Sequence, residues 1–246
     1  MKVAADLHIH STLSPCGSLE STPRAIVERA LERHLDMIAV TDHNSVENAL
    51  HASAYGAMRG LSVICGMEAQ TIEDVHLLCL LPSPRAAETF YGQVYPFLPE
   101  VANNPDYFGD QVVVDIDDTI VRVEPRLLLN SLSLTIGALA DLVREYGGFI
   151  IPSHVESPHS SLLANLGFLP PELADCPLEI SYCTPFSTAI AAHPELAGRH
   201  LLCNSDAHYL ADIGRAYTVY DVDEATLASV YQAARSGRCH VVREEG

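Results

Sequence analysis

Two histidines two residues apart, His8 and His10, sit in the run Asp6-Leu7-His8-Ile9-His10-Ser11 near the start of the 246-residue chain. The stretch 3–10 reads as a β-strand, and at a period of two both imidazoles project from one face. Neutral imidazoles held side by side at a strand end can chelate a transition metal. Alone, the pair is weak evidence, because neighbouring histidines are common. Further polar clusters follow: Thr41-Asp42-His43-Asn44, Gly66-Met67-Glu68, His76, Pro152-Ser153-His154 and Asn204-Ser205-Asp206-Ala207-His208. Each ends an apolar, strand-like run, except that His76 opens one. Imidazole nitrogens and carboxylate oxygens gathered at strand ends suit Zn²⁺, Mn²⁺ or Fe²⁺ in a multinuclear site.

Only alternating strands and helices can bring these clusters to one edge. A helix is predicted over 23–34, with Ser21 or Thr22 as N-cap and Pro23 in its first turn. A strand over 36–41 follows, then a helix over 46–58 closed by Gly60. Strands over 61–66 and 75–81 precede a helix from Pro84 to about residue 95. The rhythm breaks over 96–130, where Pro96, Pro99, Pro105 and Gly109 surround two β-rich pieces, 111–115 and 119–123. This reads as an inserted loop and β-hairpin, expected to lie over the site as a lid. Beyond it come a helix over 135–146, strands over 149–152, 178–181, 200–203 and 216–219, a helix over 224–236 and a strand over 239–242. The pattern predicts one α/β domain over 1–246, with parallel strands and a site at their C-terminal edge.

Hydrophobic residues make up 48% of the chain and charged residues 19%, as in a packed globule. A net charge of −18 disfavours broad binding to nucleic acid or anionic membrane, both of which require a positive field. The seven cysteines are scattered, without a C-x-x-C pair, and most lie in apolar runs, which fits buried reduced thiols. Met1 leads directly into the first strand, and no apolar run approaches the ~20 residues that span a bilayer. A cytoplasmic protein is expected.

Taken in order, Asp-Leu-His-Ile-His-Ser, Thr-Asp-His-Asn, Gly-Met-Glu, Val-His-Leu-Leu, Ser-His and Ser-Asp-Ala-His resemble the motifs of the PHP (polymerase and histidinol phosphatase) family. The resemblance covers residues 1 to about 220, with 96–130 as extra material. It implies a distorted, TIM-like (β/α)7 barrel with two to three divalent metals at its mouth. By motif, His8, His10, Glu68 and Asp206 would bind one metal. Glu68 would bridge to a second, held also by His76 and His154, and His43 and His208 would hold a third. Family members commonly complete that third site with an Asp or His after the first motif. Here Cys16, six positions after His10, is the candidate, and a thiolate favours Zn²⁺ or Fe²⁺ over Mn²⁺. The alternative for Cys16 is a partly buried loop thiol beside a weaker or empty third site.

Asp6 and Asp42 are expected behind the ligands, orienting histidines. Ser153, Glu156 and His159 are candidates to touch substrate, although for His159 an exposed loop position is the simpler reading. Arg215, with Arg122 and Arg126 next, is the candidate phosphate clamp, since the only lysine is Lys2. The expected activity is hydrolysis of a small phosphomonoester or nucleotide-type phosphate ester by a metal-bound water held by Glu68, His76, His154 and Asp206. The rivals are an exonuclease or phosphodiesterase on single-stranded nucleic-acid ends, an amidohydrolase-type metallohydrolase, and a non-catalytic metal-binding module.

Overall fold

The first strand, β1 (Lys2–Ile9), is buried beyond its first residues, its polar Asp6 and His8 included, in the computed structural model, which describes residues 1–244. The last two residues of the expected 1–246 domain lie outside the described residues. After β1 come α1 (Pro23–Glu32), β2 (Met37–Val40), α2 (Glu47–Arg59), β3 (Ser62–Gln70), β4 (His76–Leu81) and α3 (Pro84–Val94). The inserted segment holds α4 (Pro105–Phe108), β5 (Val112–Val114) and β6 (Ile120–Val123). The chain then forms α5 (Ile136–Glu145), β7 (Phe149–Pro152), α6 (Leu162–Asn165), β8 (Leu178–Glu179), α7 (Phe186–Ala192) and β9 (Leu201–Leu202). It finishes with β10 (Ala216–Asp221), α8 (Leu227–Arg235) and β11 (Cys239–Arg243).

The helix starts follow their caps. The side chains of Thr22, Ser83 and Thr135 accept from the backbone three residues on, and Gly60 ends α2 in the left-handed region at φ 77°. The last helix starts three residues later than the sequence pattern suggests, because Thr226 caps it by accepting from Ser229 N.

Seven strands form one mixed sheet in the order β11-β10-β1-β2-β3-β4-β7. The expectation of parallel strands holds only in part: β1, β2 and β3 run parallel, whereas β3, β4 and β7 are antiparallel neighbours. The reason is local. A connection of five residues joins β3 to β4, too short for a crossover helix, so the chain turns back on itself. That reversal extends β3 to Gln70, which pairs with His76, and so places Glu68 inside a strand and the start of β4 at the same edge. The separate parallel pair β8–β9 closes the ring. Val155 N donates to Glu179 O on one side, and on the other His10 N donates to Ala207 O.

Two core layers show which face of the strands carries the site. Ile38, Val40, Cys65 and Met67 pack with α1 and α2, whereas Met37, Ala39, Leu78 and Leu80 pack on the opposite face with Val230 and Tyr231 of α8. Along β1, Val3, Ala5 and Leu7 belong to the α8 side, yet Ile9 belongs to the helix-covered side. The phase changes because the register with β2 slips by one residue between Asp6 and Ile9. This β-bulge turns His8 and His10 to the barrel interior.

The inserted segment flanks the mouth and does not span it. Its hairpin packs on α2 and on the loop after β1, where Val112 N donates to Thr12 O. Asn48, fully buried on α2, joins all three parts. Its Nδ2 lies 2.9 Å from Ser11 Oγ and 3.0 Å from both Thr12 Oγ1 and Val112 O, and its Oδ1 accepts from Val114 N at 2.9 Å. Substituting Asn48→Ala leaves these buried groups without partners. We expect a loss of about 2–4 kcal/mol, read as a lower urea midpoint at unchanged slope.

Candidate metal centre

Glu68 is 1% exposed and lies at the focus of the interior face. Ring nitrogens of five histidines approach its two oxygens: His76 at 3.0 Å, His43 and His154 at 3.2 Å, His8 at 3.3 Å and His10 at 3.4 Å. Asp206 Oδ1 sits on the other side of the same pair, 3.4 Å from His8 Nε2 and 3.3 Å from His10 Nε2. The His10 and His208 rings stack with centroids 4.3 Å apart. The structure thus brings together every histidine and carboxylate expected from the motifs.

Hydrogen bonds behind the rings fix which nitrogen faces inward. His10 Nδ1 donates to Ser14 Oγ at 2.9 Å, and Ser14 donates in turn to Asp42 Oδ1 at 2.7 Å. Asp42 also accepts from Ser11 N and Ser11 Oγ, so it locks the loop after β1 and reaches His10 through Ser14. On the opposite wall, His8 Nδ1 lies 3.0 and 3.2 Å from the oxygens of Glu179. Asp6 touches no histidine through a hydrogen bond. It accepts from Ser205 N and Gly214 N, each at 3.0 Å, and so anchors the loop that carries Asp206. Backbone strain gathers here too: Asn44, His154, Ser160 and Asp206 all have positive φ.

The charges are set by competition between burial and neighbours. Burial pushes the Glu68 carboxyl up, but His76 and His8, with the His154 hydrogen bond, outweigh it and hold Glu68 well below the usual carboxylate range. Burial likewise raises Asp206, and His8 and His10 outweigh it and hold that carboxyl low. His8 is driven the other way: burial disfavours its charge, yet Glu179, Asp206 and Glu68 hold it well above the ordinary imidazole value. Burial keeps His43 well below that value, and burial with His10 pushes His208 down to about 4. Asp6, enclosed without a cation in contact, is raised by burial to about 6 despite its hydrogen bonds.

This donor set fits metal ions. His8 Nε2 and His10 Nε2 lie 3.2 Å apart and both point at the Glu68 oxygens, so one ion could be shared among them. Nδ1 of His43 and of His76, each buried without a well-aligned hydrogen-bond partner, lie 3.2 and 3.0 Å from the Glu68 oxygens. Among the described residues, three groups have donor atoms within 4.8 Å of one another: His8, His10 and Glu68; His43, Glu68 and His76; and His10, Cys16, His43 and His208. Cys16 therefore joins the third group, as its position after His10 suggests. The residue is exposed at the mouth, but protein enclosing its thiol, with the Glu68 and Asp206 charges, pushes that thiol up. Thiolate formation there needs a cation.

The centre opens into a cavity of about 430 Å³, whose wall beyond these donors consists of Gln70, Leu129, His159 and Ser160. His159 thus reaches the cavity. Glu156 instead accepts from Ser181 N, and Ser153 is buried. The three arginines do not line the cavity. Arg215 donates to Ser205 O and Asp206 O, pairs with Asp212 and stacks 3.4 Å over Tyr182. It therefore supports the Asp206 turn from behind. Arg122 is held by Glu47 and Glu124, and Arg126 by Glu100 and the carbonyls of Tyr95 and Leu98. Acidic neighbours and turn carbonyls have taken up the guanidinium donors. Sequence reading missed Glu179 and gave Asn204, named in the last strand-end cluster, no role of its own; the one available signal for Glu179 is a lone carboxylate between Leu178 and Ile180 in an apolar strand.

The PHP domain profile matches residues 6–123, and the PHP-associated profile matches residues 198–239. The chain belongs to the PHP family. Among curated proteins, the PolC-type DNA polymerase III of Oceanobacillus iheyensis is 36% identical to this PHP chain over 73 residues, 30% of the chain and 5% of the polymerase. Among solved structures, the lesion-specific endonuclease PfuEndoQ of Pyrococcus furiosus superposes with a TM-score of 0.68 at 23% identity, covering 98% of this chain and 58% of that one. A two-domain Bacteroides vulgatus protein, described as containing a predicted PHP-like metal-dependent phosphoesterase, gives a TM-score of 0.61 at 14% identity, over 99% of this chain and 65% of that one. The PHP chain thus spans less than two thirds of each of these relatives. At such identities the structural likeness is one of fold, a TIM-like barrel of the PHP type.

Because Ser14 links His10 to Asp42, Ser14→Ala should free the His10 ring without touching any inward-facing nitrogen. Metal affinity, measured by chelator competition, is expected to fall by about 10-fold or more while the fold persists.

Proposed function

We propose that this PHP chain is a metal-dependent phosphoesterase that hydrolyses a small phosphate ester at a three-metal centre. The observation that carries the reading is the convergence of five imidazoles on one buried carboxylate, Glu68, at the base of an open cavity. His8, His10, Glu68 and Asp206 would hold one ion, Glu68, His76 and His154 a second, and Cys16, His43 and His208 the third. When bound, such ions activate a water and neutralise phosphate oxygens. Asp206 and Glu68 supply the negative charge that retains cations, and both are held ionised well below neutral pH. His43 and His208 are held neutral, so their lone pairs are free to coordinate. His159 and Ser160 face the cavity outside the donor set and are placed to contact the ester.

The preference for a small ester rests on charge. Among the described residues, no lysine or arginine lines the cavity, and the chain carries a net charge of −18. A single phosphoryl group can be neutralised inside the centre, but an extended polyanion meets no basic track along which to bind. The fold shared with a lesion-specific endonuclease favours a second reading, cleavage of nucleic-acid phosphodiesters.

A panel of phosphomonoesters, phosphodiesters, oligonucleotides and amides, offered to the protein loaded with Mn²⁺, Zn²⁺ or Fe²⁺, separates these readings. We expect turnover of small phosphate esters, with Asp206→Ala and His8→Ala losing both bound metal and activity. Activity confined to oligonucleotides would favour the second reading, and full activity in either variant would remove the assigned site. Substituting Cys16→Ser should lower the metal content by one ion per chain in elemental analysis and leave the remaining ions bound.

A further inference from the structure

Glu179 is 1% exposed on β8 and belongs to none of the candidate metal-holding groups among the described residues, yet it touches three different walls of the centre. Its oxygens lie 3.0 and 3.2 Å from His8 Nδ1. Oε1 accepts from the backbone N of His154 at 3.2 Å, a residue held at φ 30°. Oε2 accepts from Asn204 Nδ2 at 2.7 Å, and Asn204 Oδ1 accepts from Leu7 N at 2.9 Å. One carboxylate thus joins β1, the turn after β7 and the turn after β9 where the ring of strands closes.

We propose that Glu179 is a positioning residue that makes His8 bind metal through Nε2 and sets the affinity of the centre; this rests on the metal-centre reading above. A carboxylate can only accept at Nδ1, so the ring must carry a hydrogen there, and the one lone pair it can offer a metal is that of Nε2, on the side where Glu68 and Asp206 lie, at 3.3 and 3.4 Å. His10 is oriented in the same sense by the neutral hydroxyl of Ser14. His8 instead receives a charged acceptor, which raises the basicity of the ligating nitrogen as well as fixing the ring. The Asn204 donor and the His154 amide hold the carboxylate in place. An amide at position 179 would set one donor against another, because each oxygen now accepts.

The test uses Zn²⁺ titration with chelator competition, together with nitrogen-15 spectra of the histidine rings in the Zn²⁺-loaded protein. In the wild type, His8 should carry hydrogen on Nδ1 and metal on Nε2. Glu179→Gln, nearly unchanged in volume, should bind Zn²⁺ about 10- to 100-fold more weakly and show a displaced His8 Nδ1 resonance. Equal affinity in a folded Glu179→Gln protein would overturn the proposal. So would metal on Nδ1 of His8 in the wild type, a result that needs no variant to fold. Failure of the wild type to bind Zn²⁺ would instead remove the metal-centre reading, and the role of Glu179 with it.

Discussion

The structure depends on one buried negative charge placed where five imidazoles can reach it. Glu68 on β3 is almost wholly buried, and a carboxylate in that position is stable only if its neighbours answer its charge. Histidines from β1, from the turn after β2, from β4 and from the turn after β7 do so. The barrel is the geometry that lets four separate segments converge on one carboxylate. Its departures from regularity, the antiparallel β4 and the bulge in β1, are what aim His76, His8 and His10 at it.

Around this centre lies a ring of groups that do not line the cavity and yet decide its shape. Asp42 acts through Ser14, Glu179 acts directly on His8, Asp6 anchors the backbone beside Asp206, and Arg215 supports the same turn through its carbonyls. Each satisfies backbone groups at a turn that would otherwise be buried without partners. The positive φ values of His154 and Asp206 persist because these bonds over-determine the turns. Arginine is therefore spent on scaffolding, and among the described residues no lysine or arginine lines the cavity.

The inserted segment shows how a sequence position can mislead about place. It contributes Leu129 to the cavity and otherwise seals the side of the barrel, with Asn48 joining hairpin, helix and loop. Its arginines answer Glu47, Glu124 and Glu100 within and beside the segment. Nothing in the linear order tells that these charges pair locally, because the partners of Arg122 include a glutamate 75 positions away.

The sequence by itself determined the inventory: alternating elements with their caps, the strand-end motifs, and the donor types that make a metal centre. Those features are local, set by period, capping and residue chemistry, and so are legible within a few residues. Tertiary structure alone decided the direction of β4, the phase of β1, and the use of Glu179 and Arg215 behind the site. These are set by pairing register and by which distant carbonyl or ring lies within 3 Å or so, information that exists only once the ring of strands has closed.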